Sequence, residues 1–223
     1  MSATSKAVRY PEVSPRNGNG NGYHPVPEPP AEPAVNWANS GPLCLIAFAA
    51  TTFMISMVNA KGVNAAVVPV VLSCGLIFGG AVQLVGGLLQ LRTGNTFNGA
   101  LFSTFGGFWI VLAAYLEWFA KAVPAAQVGH TTGLLLYTFA IIAAMFLLVS
   151  FRTTIASVLA LINLTVTLTL LAVGNYGGHA TALQIAGITG IILAGQALYM
   201  AAAEISEYTY GRTVVPLGHL GNK

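Results

Sequence analysis

Long apolar runs with very few charges dominate this sequence from about residue 41 onward, and they leave little choice of fold. Only 7% of the 223 residues are charged, against about 25% in an ordinary soluble domain. Beyond the first 38 residues the charges mostly stand between the apolar runs, at Lys61, Arg92, Glu117, Lys121, Arg152, Glu204, Glu207, Arg212 and Lys223. A soluble fold needs a charged surface that this chain cannot supply. The pattern instead predicts a chain that crosses a lipid bilayer repeatedly.

Six apolar segments are each long enough to cross the hydrocarbon core of a bilayer, which takes about 20 helical residues. We predict helices over approximately 41–58, 66–90, 97–119, 132–151, 154–173 and 180–206. The runs are too long and too uniformly apolar for the strands of a membrane barrel. The predicted fold is therefore an all-α integral membrane domain of six helices, residues 39–210.

The two ends of the chain are predicted to lie outside the bilayer. Residues 1–38 are polar and rich in Pro and Gly, which favours a disordered tail, and residues 211–223 form a short C-terminal segment. With six spans both ends share one side. That side carries Arg92, Arg152, Arg212 and Lys223, whereas the other carries Lys61 and Lys121. The excess of basic residues predicts that both termini are cytoplasmic, in a plasma or inner membrane. Arg212 and Thr213 are expected to anchor the C-terminal segment, with Glu204 as a partner.

The polarity within the predicted spans is almost entirely uncharged. No ionisable Asp, Glu, Lys, Arg or His lies at the middle of a span, where ion-coupled pumps usually place one. Neither a catalytic constellation nor a cluster of metal ligands is visible, so we expect no enzyme activity, cofactor or metal. The basic residues form no stripe, which argues against a nucleic-acid partner. A path for a small polar or weakly acidic solute needs apolar walls with a few hydrogen-bonding groups. The candidate solute-binding residues are Asn39, Thr51, Gln83, Thr104, Asn163 and Thr167.

Each of these polar residues also has a purely structural interpretation. A threonine in a membrane helix often bonds the carbonyl four residues earlier, and Asn39 has the place of an ordinary helix N-cap. Gly75 and Gly79 form a G-x-x-x-G pair, which lets helices pack closely. The sequence leaves open whether that packing lies within one subunit or between subunits.

An ordered series of motifs resembles the succinate–acetate permease family of acetate uptake transporters. Asn39-Ser-Gly-Pro42-Leu43 is similar to the family's Asn-Pro-Ala-Pro-Leu signature, with Ser-Gly in place of Pro-Ala. The similarity covers roughly residues 39–218 and continues through Phe48, Thr51-Thr52, Asn59, Gly79-Gly80-x-x-Gln83, Gly94-Asn95-Thr96-Phe97, Phe105-Gly106-x-Phe108-Trp109, Gly174-Asn175 and Gly211-Arg212-Thr213-Val-x-Pro216.

The resemblance implies a function and an assembly. Family members are six-helix subunits that form hexamers, with one solute path in each subunit, and they pass acetate, related short monocarboxylates and in some cases succinate. A narrow hydrophobic constriction is implied at Phe48, Phe105 and Leu164, where Phe105 replaces a tyrosine found in many members. The expected partners are therefore small carboxylates, the lipid bilayer and further copies of the chain. Both a channel and a proton-coupled symporter agree with this reading.

Two other classes of function stay open at this point. A channel for a neutral solute such as urea or ammonia would share the scarcity of charge, and competition between solutes in vesicles would separate it from a carboxylate transporter. A sensor or scaffold would act through its tail without moving a solute. Deletion of residues 1–36 discriminates here, because transport should survive the deletion and signalling should not.

Overall fold

The described part of this computed structural model is residues 37–220, which are nearly all helical. Its six long apolar helices confirm the predicted all-α membrane fold: α1 Gly41–Asn59, α2 Ala65–Arg92, α3 Thr96–Ala122, α4 Ala125–Ser150, α5 Ile155–Gly177 and α6 Ala180–Tyr210. Within that range the β pairing is limited to one isolated bridge, Thr154 with His219. The predicted tail lies outside the described residues, except for its last two.

Several helices extend further than the apolar pattern indicated, α4 at its start and α6 at its end among them. The α4 helix begins at Ala125 rather than near Thr132, with a turn of 3₁₀ helix directly after Pro124. The α6 helix continues to Tyr210 and ends at Gly211, whose φ of +63° suits a residue without a side chain. Hydropathy marks where a chain leaves the hydrocarbon, whereas the helical backbone continues into the polar boundary because its hydrogen bonds are local.

The helices pack in a closed order around a shared interior. The α4 helix packs on α5, α5 on α6, α6 on α1, α1 on α2 and α2 on α3, while contacts between α3 and α4 are sparser. The first residues of α1, α3 and α5 therefore lie at the same end of the bundle as the last residues of α2 and α6. We call this the termini end, because Trp37 and the residues after Tyr210 also lie there.

Glycines bring α2 close to both of its neighbours within the chain. A Cβ atom at Gly79 would collide with the Thr51 side chain of α1, and one at Gly87 would collide with Ser103 of α3. Gly75 faces Trp109 of α3. The G-x-x-x-G pair therefore packs helices inside one subunit, which answers the question that the sequence left open.

The middle of α2 departs from regular α geometry. Residues Gly75–Val82 form a π-helical stretch, and α-helix resumes at Gln83. A π segment is rare, and it changes the direction in which the following side chains point. Gln83 is the first residue after it, so the irregularity bears directly on where this side chain lies.

The C-terminal segment folds back onto the start of α5. The backbone N–H of Ile155 donates to the Gly218 carbonyl at 2.7 Å, which satisfies one of the free donors of a helix N-terminus. The Tyr199 hydroxyl donates to the Pro216 carbonyl at 2.6 Å. The segment is therefore held through its own backbone carbonyls at Pro216 and Gly218. Arg212 is exposed, and its anchoring role at the membrane surface stays a prediction.

Candidate solute-binding cavity

A cavity of about 80 Å³ lies inside the bundle, with room for one small solute or a few water molecules. Residues of α1, α2, α3, α5 and α6 line it, so a single chain encloses it. The lining is apolar except at Gln83, Asn98, Ser157 and Glu204. The lining residues of α3 and α5 come from the first halves of those helices, and those of α6 from its second half. The cavity therefore occupies the termini half of the bundle.

The three residues of the predicted constriction meet at the deep end of this cavity. Phe48, Phe105 and Leu164 all line it, together with Leu193 of α6. Phe105 and Leu164 each lie nine residues beyond the first residue of their helices, which is about 13 Å along the axis at 1.5 Å per residue. Half of a hydrocarbon core is about 15 Å. The apolar end of the cavity is thus close to the middle of the membrane.

Neighbouring rings hold Phe105 in place. Its side chain is 2% exposed, and its ring centroid lies 6.1 Å from that of Phe108, 6.2 Å from Phe139 and 6.5 Å from Phe146. Edge-to-face and tilted contacts of this kind are favourable and directional. Because Phe139 and Phe146 belong to α4, this helix supports the constriction from behind without lining the cavity.

Gln83 is a buried polar residue that lines the cavity. It is 1% exposed, and within residues 37–220 its side-chain oxygen Oε1 has no hydrogen-bond partner. Leaving a buried polar group unpaired costs about 1–3 kcal/mol. A side-chain amide has a donor at one end and an acceptor at the other. A small solute that offers both groups in return would remove this cost.

The termini end of the cavity carries a second polar cluster. Asn39 Nδ2 donates to Glu204 Oε2 at 2.8 Å, and the Asn39 side-chain oxygen accepts the Gly41 backbone N–H at 2.9 Å. Gln90 Nε2 lies 2.6 Å from the same Asn39 oxygen. With its amide reversed, Gln90 would instead accept the N–H of Gly41 at 2.8 Å. We favour the first orientation. Because Asn39 Nδ2 donates to Glu204, the Asn39 oxygen faces Gln90 and needs a donor there, which Nε2 supplies.

Glu204 is a cavity residue that sequence reasoning missed, since we had paired it with Arg212. Its side chain lines the cavity and bonds Asn39, which lies 165 positions away along the chain. The spacing of Leu193, Ala197, Met200 and Glu204 places them on one face of α6, and all four line the cavity. That spacing is the signal in the sequence that would have found it.

The other predicted polar residues lie at helix contacts. Thr51 donates to the Ala47 carbonyl of its own helix at 3.0 Å. Asn163 donates to Gln196 Oε1 at 3.0 Å, and Thr167 donates to the Thr189 hydroxyl at 2.8 Å. Both of these bonds join α5 to α6. Thr104 is half-buried on α3 and is not a lining residue. Of the six candidates, only Gln83 lines the cavity, and Asn39 reaches it through Glu204.

Replacing Asn163 with alanine should therefore weaken the fold and leave solute preference unchanged. Hydrogen bonds between membrane helices contribute about 0.6 kcal/mol on average and about 1.7 kcal/mol at most, so the expected loss of stability lies in that range. Thermal unfolding in detergent measures the loss. Thr169→Ala is the control, because Thr169 is exposed and bonds only the Thr165 carbonyl of its own helix. A changed order of competing solutes in Asn163→Ala would show instead that this side chain contacts the solute.

Comparison with known proteins identifies the family of this chain and several of its relatives. Residues 22–221 match the GPR1/FUN34/yaaH family. Over 181 residues the chain is 31% identical to the "Succinate-acetate/proton symporter SatP" of Escherichia coli K12, covering 81% of this chain and 95% of that protein. The solved "Structure of the bacterial acetate channel SatP" matches with a TM-score of 0.77 at 30% identity, covering 82% of this chain and 100% of that one.

A relative from yeast is named for the transport of a different solute. Over 179 residues the chain is 34% identical to "Ammonia transport outward protein 2" of Saccharomyces cerevisiae. The match covers 78% of this chain and 64% of the relative, so the chain spans less than two thirds of that protein's length.

Proposed function

Because the chain belongs to the GPR1/FUN34/yaaH family, we propose that it moves acetate and related short monocarboxylates across a membrane, with succinate as a further candidate. The observation that carries this proposal is that Gln83, whose side-chain oxygen is unpaired among the described residues, lines the same cavity as Phe48, Phe105 and Leu164. The deep end of the cavity has one hydrogen-bonding side chain among apolar ones. A short carboxylic acid is built in a matching way, with a polar carboxyl group and an apolar methyl or alkyl group.

The chemistry of the deep end favours the neutral acid over the anion. Moving a bare carboxylate into an apolar site is expensive, whereas a protonated carboxyl group offers one donor and one acceptor. The Gln83 amide matches these two groups with its own acceptor and donor. The acid then passes Phe48, Phe105 and Leu164 with its proton, so solute and proton move together. This is the proton-coupled form of the transporter hypothesis.

The predicted site residues divide into three roles in this proposal. Gln83 contacts the solute, and the constriction of Phe48, Phe105 and Leu164 limits its size. Asn39 orders the polar cluster at the termini end of the cavity. Of the remaining candidates, Asn163 and Thr167 join α5 to α6 and Thr51 packs against Gly79 of α2, while Thr104 has no part in this proposal.

We further propose a hexamer in a plasma or inner membrane, with both termini cytoplasmic. A cavity enclosed by one chain is consistent with an independent path in each subunit. Arg92, Arg152 and Arg212 lie at the termini end, whereas Lys61 and Lys121 lie at the other, which supports the orientation. The mass of the purified protein in native detergent micelles tests the assembly. Labelling of single cysteines placed in the C-terminal segment, from either side of a sealed vesicle, tests the orientation.

Ammonia is the second candidate solute, and two observations favour it. The yeast relative is named for ammonia transport, and the carboxylate of Glu204 at the cavity would attract an ammonium ion. The Gln83 oxygen would accept a hydrogen bond from either acetic acid or ammonia, so this residue alone does not separate the two solutes.

Competition in strongly buffered proteoliposomes separates these functions. We expect an excess of propionate to suppress uptake of labelled acetate and equal concentrations of urea or ammonium to leave it unchanged. Suppression by ammonium without suppression by propionate would favour ammonia as the solute. Uptake no faster than in protein-free liposomes would overturn the transport proposal and favour a sensor or scaffold.

A further inference from the structure

Among the described residues, one acidic side chain, that of Glu204, lines the cavity. Glu204 lies 11 residues beyond Leu193 on α6, which is about 16 Å along the helix axis. Leu193 belongs to the deep end, so Glu204 marks the opposite end, toward the termini.

We propose that Glu204 is the proton-exchange group of the path, a role that rests on the transport of carboxylic acids proposed above. An ionised solute and an ionised Glu204 repel each other at this end of the cavity, whereas one shared proton makes the pair attractive. An acid that leaves the apolar end gives its O–H proton to the Glu204 carboxylate. The solute then departs as an anion, and Glu204 releases the proton to water on the same side. Entry from the termini side follows the same steps in reverse.

The neighbours of Glu204 suit this role because they bind it without neutralising it. Asn39 donates to one carboxylate oxygen, Oε2, and the proposed exchange uses the other, Oε1. Gln90 holds Asn39 from behind. An amide N–H can donate to a carboxyl group whether it is ionised or protonated. A lysine or arginine partner would instead favour the ionised form strongly.

Few charged or titratable groups lie close to Glu204. Glu207 stands almost one turn further along α6 and is exposed. Cys44 of α1 is close enough to Glu204 to interact with it electrostatically, and its thiol donates to the Gln83 carbonyl of α2. The other helices around the cavity present uncharged polar groups on this side, Gln90 from α2, Asn98 from α3 and Ser157 from α5. Glu207 is the neighbouring acid whose own titration must be separated from that of Glu204 in any test.

The test compares acetate uptake by Glu204→Gln and the parent protein at two pH values. A carboxylic acid with a pKa near 4.3 is neutral in only about 1 molecule in 500 at pH 7, and in about 1 in 6 at pH 5. Proton exchange at Glu204 therefore matters at pH 7 and hardly matters at pH 5. We expect Glu204→Gln to lower uptake by about tenfold at pH 7 and by less than twofold at pH 5. The glutamine oxygen still accepts from Asn39, so the cluster should persist.

Glu207→Gln is the matched control and should keep the parent's ratio of uptake at the two pH values. Glu204→Asp should recover part of the uptake at pH 7, since it restores an acid. The proposal is overturned if Glu204→Gln keeps the parent's ratio, whether its uptake is unchanged or lowered equally at both pH values. A parent protein that takes up no acetate at pH 5 or pH 7 would overturn the proposed function itself, so the two failures are distinct.

Discussion

Replacing Gln83 with leucine should lower acetate uptake by about fivefold or more while the protein still folds. The variant keeps the size of the side chain and removes the one polar group at the deep end of the cavity. Two hydrogen bonds to the solute, each contributing about 0.5–1.5 kcal/mol, correspond to roughly a fivefold to a hundredfold change in rate. Uptake of labelled acetate into proteoliposomes measures the loss.

The stability of this variant is the second readout. The Gln83 oxygen has no partner among residues 37–220, so its removal should leave the unfolding temperature unchanged or raise it. Gln184→Leu is the control, because Gln184 is half-buried on α6 and is not a cavity residue. Full acetate uptake by a well-assembled Gln83→Leu protein would show that the solute does not use this amide.

Replacing Leu164 with alanine should widen the path and admit larger carboxylates. Leu164 is 7% exposed and lines the cavity, where we predict the constriction. In a closed core this change would cost about 2–5 kcal/mol, whereas here the vacated space joins a cavity that solute and water can enter. We expect a smaller loss of stability, with lactate and succinate competing against acetate better than they do in the parent.

Leu168→Ala provides the matched comparison for that result. Leu168 lies one turn further along α5, is 3% exposed and does not line the cavity. It should show the full cost of a core cavity and the parent's solute range. A Leu164→Ala protein that is equally destabilised and has an unchanged solute range would place Leu164 in the core and not at the constriction. Phe105→Tyr complements this test, because a hydroxyl at the same level should alter preference without widening the path.

The sequence predicted the architecture well because membrane helices are set by local chemistry. Apolar length and turn residues gave the six spans, and the family motifs brought together Phe48, Phe105 and Leu164, which the structure finds in one cavity. The π-helical stretch before Gln83 has no comparable signal. Residues Gly75–Val82 are all apolar or glycine, so an extra residue in a turn shifts no alternation of polar and apolar positions.

The direction of the polar side chains was harder to predict. Asn163 and Thr167 do share a face of α5, as their spacing indicated, and that face is turned toward α6. A helix that is apolar on all sides has no pattern to fix its rotation about its own axis. Glu204 escaped notice for a related reason, since its partner Asn39 is joined to it only by the packing of α1 on α6.

The central claim is that a small carboxylic acid travels through this cavity, and filling the cavity tests it most directly. Ala160 lines the cavity from α5, whereas Ala202 is exposed on α6 and does not line it. Both are replaced by phenylalanine, and uptake of labelled acetate into proteoliposomes is measured with and without a proton gradient. The account predicts uptake above protein-free liposomes for the parent and for Ala202→Phe, faster with the gradient, and uptake near the protein-free level for Ala160→Phe. An assembled Ala160→Phe protein that takes up acetate as fast as the parent would contradict it.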